Sequence, residues 1–117
     1  MNSIFYKKLK KIIKIKLTCS IPNLGYLIKQ NCNFPHPIGI VIHKDCIIGK
    51  NCKIYQNTTI GEGRYSEKTK RKVPIIGNNV KIYPNCVIAG GITIGDNVTI
   101  GAGKIIFEDI EANTKIK

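Results

Sequence analysis

Tryptophan is absent from this 117-residue chain, methionine occurs once, and acidic residues number only 7 against 19 Lys and Arg. No apolar stretch approaches the roughly 20 residues needed to cross a bilayer, so the sequence predicts no membrane span. No Cys-x-x-Cys pair occurs among Cys19, Cys32, Cys46, Cys52 and Cys86, and an odd number leaves one unpaired under any scheme. Reduced cysteines and a cytoplasmic location follow as expectations. The length suits one domain with one modest core.

What is abundant is isoleucine, with 24 residues. Such β-branched enrichment favours strands over helices. Isoleucine recurs at every sixth position: Ile42, Ile48, Ile54 and Ile60, then, after a break, Ile76, Ile82, Ile88, Ile94, Ile100 and Ile106. The residue after each is often Gly or Ala (Gly49, Gly61, Gly77, Ala89, Gly95, Gly101). The fourth after it is often small or apolar: Cys46, Cys52, Thr58, Val80, Cys86, Ile92 and Val98.

A six-residue unit is one short strand plus a turn, and three units close a triangular coil that brings residue i over residue i+18. The recurrent Ile points inward and stacks on its equivalents: Ile42, Ile60, Ile88 and Ile106; Ile48, Ile76 and Ile94; Ile54, Ile82 and Ile100. Corners such as Gly49-Lys50-Asn51, Gly77-Asn78-Asn79 and Gly95-Asp96-Asn97 supply residues that tolerate positive φ. Cys46, Cys52 and Cys86 then read as small interior residues rather than metal or redox groups. The sixteen residues from Ile60 to Ile76 expel about ten as an external loop at about 62–74.

Residues 1–18 read differently. Ile4, Phe5, Leu9, Ile12, Ile13 and Leu17 approximate helical spacing with six Lys between them, which predicts a basic amphipathic helix before a β-helical domain over residues 19–117. Its expected role is to cap the open end of the coil stack or to touch an anionic membrane surface peripherally. The net charge of +12 comes largely from this helix and from Arg64, Lys68, Lys70, Arg71 and Lys72 in the loop, and predicts an anionic partner.

From His36 to Thr114 the chain resembles the acyltransferase domain of serine acetyltransferases and of related polysaccharide O-acetyltransferases. The matching strings are HPIGIVI from His36, IGKNCKIYQNTTIG from Ile48, VPIIGNNVKI from Val73 and IAGGITIGDNVTIGAG from Ile88. The resemblance implies an all-β, left-handed parallel β-helix, an exception to the right-handed crossover rule. It also implies a homotrimer with sites between subunits, acetyl-CoA as co-substrate without a metal, and His36 as general base. Imidazole titrates near working pH and can take the proton of a hydroxyl acceptor. Related galactoside acetyltransferases hold the coenzyme with outer residues that correspond to Pro84, Ala102 and Phe107.

Departures from the family shape the expected acceptor. Serine acetyltransferases place an Asp fifteen residues before the catalytic His, where this chain reads Cys19-Ser20-Ile21-Pro22, and a second His where this chain has Val73. The Gly-x-Pro-Ala tail that follows Asn113-Thr114 in the family has no counterpart. A sugar hydroxyl of a surface polysaccharide or its precursor is therefore the first expectation, with an enzyme working close to the inner membrane. Serine is the second, and a non-catalytic trimeric scaffold that binds an acidic partner is the third. A γ-type carbonic anhydrase needs three His ligands and this chain has two. No aromatic-and-basic platform for nucleic acid is visible beyond the Lys-rich helix.

Overall fold

In the computed structural model, which describes residues 3–117, the chain is a left-handed parallel β-helix entered through helices. Helix α1 (Ser3–Thr18) leads to a short α2 (Leu24–Lys29). Eleven two- or three-residue strands follow: β1 (Val41–Ile42), β2 (Ile47–Ile48), β3 (Lys53–Ile54), β4 (Thr59–Gly61), β5 (Ile75–Ile76), β6 (Lys81–Ile82), β7 (Val87–Ala89), β8 (Thr93–Ile94), β9 (Thr99–Ile100), β10 (Ile105–Ile106) and β11 (Lys115–Ile116). They form three parallel sheets: sheet I in the order β1-β4-β7-β10, sheet II in the order β2-β5-β8, and sheet III in the order β11-β9-β6-β3.

Register follows the isoleucine arithmetic. Ile42 pairs with Ile60, Ile60 with Ile88 and Ile88 with Ile106; Ile48 pairs with Ile76 and Ile76 with Ile94; Ile54 pairs with Ile82 and Ile82 with Ile100. All these side chains are buried except Ile106, which lies half-buried near the C-terminal end. Cys46, Cys52, Cys86, Val80, Ile92, Val98 and Thr58 are buried between them. Burial pushes the Cys46 thiol up to about 11, which keeps it protonated and inert at neutral pH. After Ile106 the coil shortens by two residues, so Ile110 bridges to Ile94 and Ile116 pairs with Ile100 at sixteen-residue separations.

The corners between sheets II and III divide their labour in a way the spacing did not resolve. Asn51, Asn79 and Asn97, the third corner residues, take the positive φ (61°, 57° and 59°). The glycines that open the same corners give clearance instead: a Cβ on Gly49 would collide with the Gly77 backbone, and one on Gly77 with the Gly95 backbone and Asp96. Side-chain oxygens then satisfy the preceding coil's backbone, with Lys50 N–H donating to Asn78 Oδ1 at 2.8 Å and Asn78 N–H to Asp96 Oδ1 at 2.7 Å.

The N-terminal end is closed mainly by an irregular coil and by α2, an element the sequence pattern did not reveal. Ile21, Leu24, Leu27 and Phe34 are buried there, whereas α1 contributes Ile15 as its buried residue. α1 is tied down at its C-terminal end, where the Thr18 hydroxyl donates to Pro37 O at 2.8 Å and Gly39 N–H donates to Thr18 O at 3.0 Å. No helix among the described residues is long and apolar enough to cross a membrane.

Candidate functional site

Three edges run along the prism, and each candidate residue can be assigned to one. The edge between sheets III and I carries His36, then Tyr55, then Tyr83 and Pro84, then Ala102. Backbone bonds stack these coils: Asn57 N–H donates to Ile38 O at 2.9 Å, Asn85 N–H to Gln56 O at 3.1 Å, and Gly103 N–H to Pro84 O at 2.8 Å. His36 is exposed, held between Pro35 and Pro37 in a turn closed by Ile38 N–H donating to its own carbonyl at 2.8 Å. Its ring centroid lies 6.3 Å from that of Tyr55, tilted by 45°, and Tyr55 stacks on Tyr83 at 4.9 Å and 12°. The fold thus brings His36, Pro84 and Ala102 onto one edge, with two tyrosines between them that composition and spacing did not single out.

Phe107 is not on that edge. It follows β10 at the corner between sheets I and II, 65% exposed, on the same edge as the external loop and His43. No hydrogen bond joins the His36 ring to another side chain among the described residues, and Ser20, which faces the first coil, instead engages its backbone with Ile40 O and Ile42 N–H.

The external loop is ordered as a hairpin. Ser66 N–H donates to Arg71 O at 2.9 Å, Gly63 N–H donates to Lys72 O at 2.9 Å, and Gly91 N–H donates to Arg64 O at 3.0 Å, seating the loop on the next coil. With His43 it walls a cleft of about 450 Å³ lined by Asp45, Glu62, Lys70, Arg71, Lys72 and Val73. Within it the Arg71 guanidinium donates to Asp45 O, and Asp45 N–H donates to His43 Nδ1 at 3.1 Å. Val73 and Pro74 are buried at the foot of the loop, which leaves the basic residues at its rim.

A prism of hexapeptide coils with one expelled loop defines a class, and the comparisons agree. Residues 74–107 match the family described as "Bacterial transferase hexapeptide (six repeats)". Together with the relatives below, that match supports the hexapeptide acyltransferase family for this chain. The chain is 35% identical over 92 residues to the serine acetyltransferase of Synechococcus elongatus, covering 79% of this chain and 37% of the relative. It is 42% identical over 92 residues to that of Staphylococcus epidermidis (79% and 42%) and 34% identical over 119 residues to that of Staphylococcus xylosus (95% and 54%). The chain therefore spans roughly a third to a half of the length of the curated relatives it matches. Among solved structures, serine acetyltransferase isoform 3 of Entamoeba histolytica in complex with cysteine superposes with a TM-score of 0.65 at 35% identity, covering 73% of this chain and 30% of that one. The Neisseria gonorrhoeae serine acetyltransferase in complex with serine gives 0.64 at 30% identity, covering 72% and 33%.

These relatives overturn the expected polysaccharide acceptor, since they are serine acetyltransferases. That expectation gave most weight to single missing side chains, the carboxylate before His36 and the imidazole at Val73, and to a Lys-rich helix. The similarity instead runs through whole coils, and a basic helix outside them carries no information about the acceptor.

Proposed function

We propose that this chain is a serine O-acetyltransferase subunit, which moves the acetyl group of acetyl-CoA to the side-chain hydroxyl of serine. The observation that carries this reading is the similarity of its coils to serine acetyltransferases at 34–42% identity over most of the chain. In the proposed reaction His36 accepts the proton of the serine hydroxyl as its oxygen attacks the thioester carbonyl. The C–O bond forms, a backbone N–H steadies the oxyanion, and the C–S bond then breaks, with the proton passing to the departing thiolate. An exposed imidazole suits a base that must meet a small polar acceptor. The coenzyme's pantetheine arm would lie along the same edge, past Pro84 and Ala102.

A homotrimer fits the same reading. Outward side chains of sheet I form a mostly apolar row, Val41, Thr59, Val87 and Ile105, whereas those of sheet III are Lys53, Lys81, Thr99 and Lys115. Burying sheet I against neighbours around a three-fold axis removes apolar surface from water and leaves the charged sheet solvated. Sheet I is flanked by the His36 edge on one side and the loop edge on the other. A three-fold arrangement therefore sets His36 of one subunit beside the basic loop of the next, a short reach from an anionic coenzyme.

The test is an acetyl-transfer assay with serine and acetyl-CoA, read by release of free coenzyme thiol. O-acetylserine formation is expected. Specific acetyl-CoA binding without transfer to serine would reject serine as acceptor, and absence of coenzyme binding would favour the scaffold reading.

A further inference from the structure

α1 is tethered at its C-terminal end and turns most of its apolar residues away from the protein. Tyr6, Leu9, Ile13 and Leu17 are 47%, 44%, 48% and 80% exposed. At 3.6 residues per turn these four fall on one arc of about 80°. Ile15 is the buried residue of the helix, and Lys11 and Ile12 are partly covered beside it, so the exposed arc points the other way. Lys7, Lys10 and Lys14 border the arc on one side and Lys16 on the other; the Lys10 ammonium sits 5.3 Å over the Tyr6 ring. The first 44 residues contain eight Lys and no Asp or Glu.

From this geometry we infer that α1 is an interfacial helix that seats the protein on an anionic lipid bilayer. Each other occupant satisfies only half of the face. A nucleic acid would meet the Lys rows but leave Leu9, Ile13 and Leu17 in water. A second copy would cover the apolar arc but press two Lys rows together with no carboxylate in either helix to separate them. An anionic membrane takes both at once: the apolar arc enters the boundary between headgroups and acyl chains, and the Lys stems run along it with their ammonium groups among the phosphates. The coil stack begins at the same end of the chain, which is 50 Å in its longest dimension, so in the proposed trimer a three-fold axis parallel to the stack presents three such helices to one surface and multiplies a weak contact. Nothing in this depends on the acceptor.

The experiment is co-sedimentation of the full chain with vesicles of phosphatidylcholine alone or of equal parts phosphatidylglycerol and phosphatidylcholine. The wild type is expected to sediment with the anionic vesicles, to stay in solution with the neutral ones, and to be released by high salt. Two triple variants, Leu9→Ser/Ile13→Ser/Leu17→Ser and Lys7→Gln/Lys10→Gln/Lys14→Gln, should each lower the bound fraction at least about tenfold while the thermal melt of the β-helix is unchanged. Failure of the wild type to bind anionic vesicles overturns the inference, and that measurement needs no variant to fold. It is equally overturned if the apolar variant binds as well as wild type, which would reduce the contact to charge alone. A fall in oligomer mass for the apolar variant, read by light scattering, would assign the face to a second copy instead.

Discussion

Gly91 lies against the carbonyl of Arg71, so close that a Cβ at position 91 would overlap the carbonyl oxygen. Two bare α-carbons in series, Gly90 at φ +100° and Gly91, form the platform on which the basic loop rests, with Gly63 packed against Gly90 in turn. Gly91→Ala should therefore lift the loop or strain the coil, costing about 1–3 kcal/mol in stability, as overpacking of a close contact does. Gly25→Ala is the matched control. Its Cβ meets nothing within 4 Å and the residue sits inside α2, so it should gain about 0.5–1 kcal/mol. Chemical denaturation of both variants checks the pair, and equal effects would mean that the loop is not seated as described.

The tip of the loop is fastened by a carboxylate. Asp109 Oδ1 accepts from Thr93 N–H at 2.8 Å and Oδ2 from Lys68 Nζ at 3.3 Å. The Thr93 amide holds this carboxyl below its usual range against the opposing effect of burial, with smaller contributions from Lys68. A depressed pKa contributes stability that is present above the unfolded value, about 4, and is lost as pH falls through the folded one. Asp109→Ala should thus destabilise at neutral pH by no more than about 1 kcal/mol, because the ion pair is solvent-exposed. The gap from wild type should close progressively below about pH 4. A gap that stayed constant down to pH 2 would show that the loss is packing rather than charge.

Most of the coil stack was legible because its signal is redundant: ten isoleucines in one register fix which residues face inward, and the sixteen-residue gap after Ile60 locates the loop. The pattern failed where redundancy ends. α2 is six residues long and contains Gly25, too short to show a helical period and too short to be stable alone. It exists because Leu24 and Leu27 have the open end of the prism to fill. Glycines and asparagines at the corners were both read as φ specialists, yet the clearance demanded of Gly49 and Gly77 is a property of the neighbouring coil. At the candidate site, motif resemblance alone singled out His36, whereas Tyr55 becomes its neighbour only through the stacking of coils, and Tyr83 joins Tyr55 across the loop insertion. In the proposed trimer the relation between His36 and the loop belongs to two chains, which one chain's sequence does not display.

If sheet I is the trimer face, a charge placed in its middle should dissociate the assembly without unfolding the coil. Val87 is 39% exposed, stands between Thr59 and Ile105 in the outward row, and faces no core residue. Val87→Glu would bury an unpaired carboxylate three times over, once per interface, which outweighs the gain from any one apolar contact. Light scattering should report the mass of a single chain with unchanged circular dichroism, and transfer activity should fall with the mass. A variant that remained trimeric would move the interface to another face.

The catalytic assignment stands or falls on His36. His36→Asn keeps a side chain of similar size and hydrogen-bonding capacity but cannot accept a proton from the serine hydroxyl. Because the residue is exposed and its ring makes no side-chain hydrogen bond among the described residues, the variant should melt as wild type does. Removing a general base typically slows transfer by about 100- to 10,000-fold, or roughly 3–5 kcal/mol at 1.36 kcal/mol per decade. Acetyl-CoA affinity should change little, since the base meets the acceptor rather than the nucleotide. His43→Asn is the comparison within the same protein. His43 sits on the opposite side of sheet I, its Nδ1 taken by the Asp45 amide, and its loss should disturb the loop cleft without abolishing chemistry. The decisive reading is kcat for both variants against serine. Equal losses, or more than about a tenth of wild-type turnover retained by His36→Asn, would leave His36 a surface residue and require a different base.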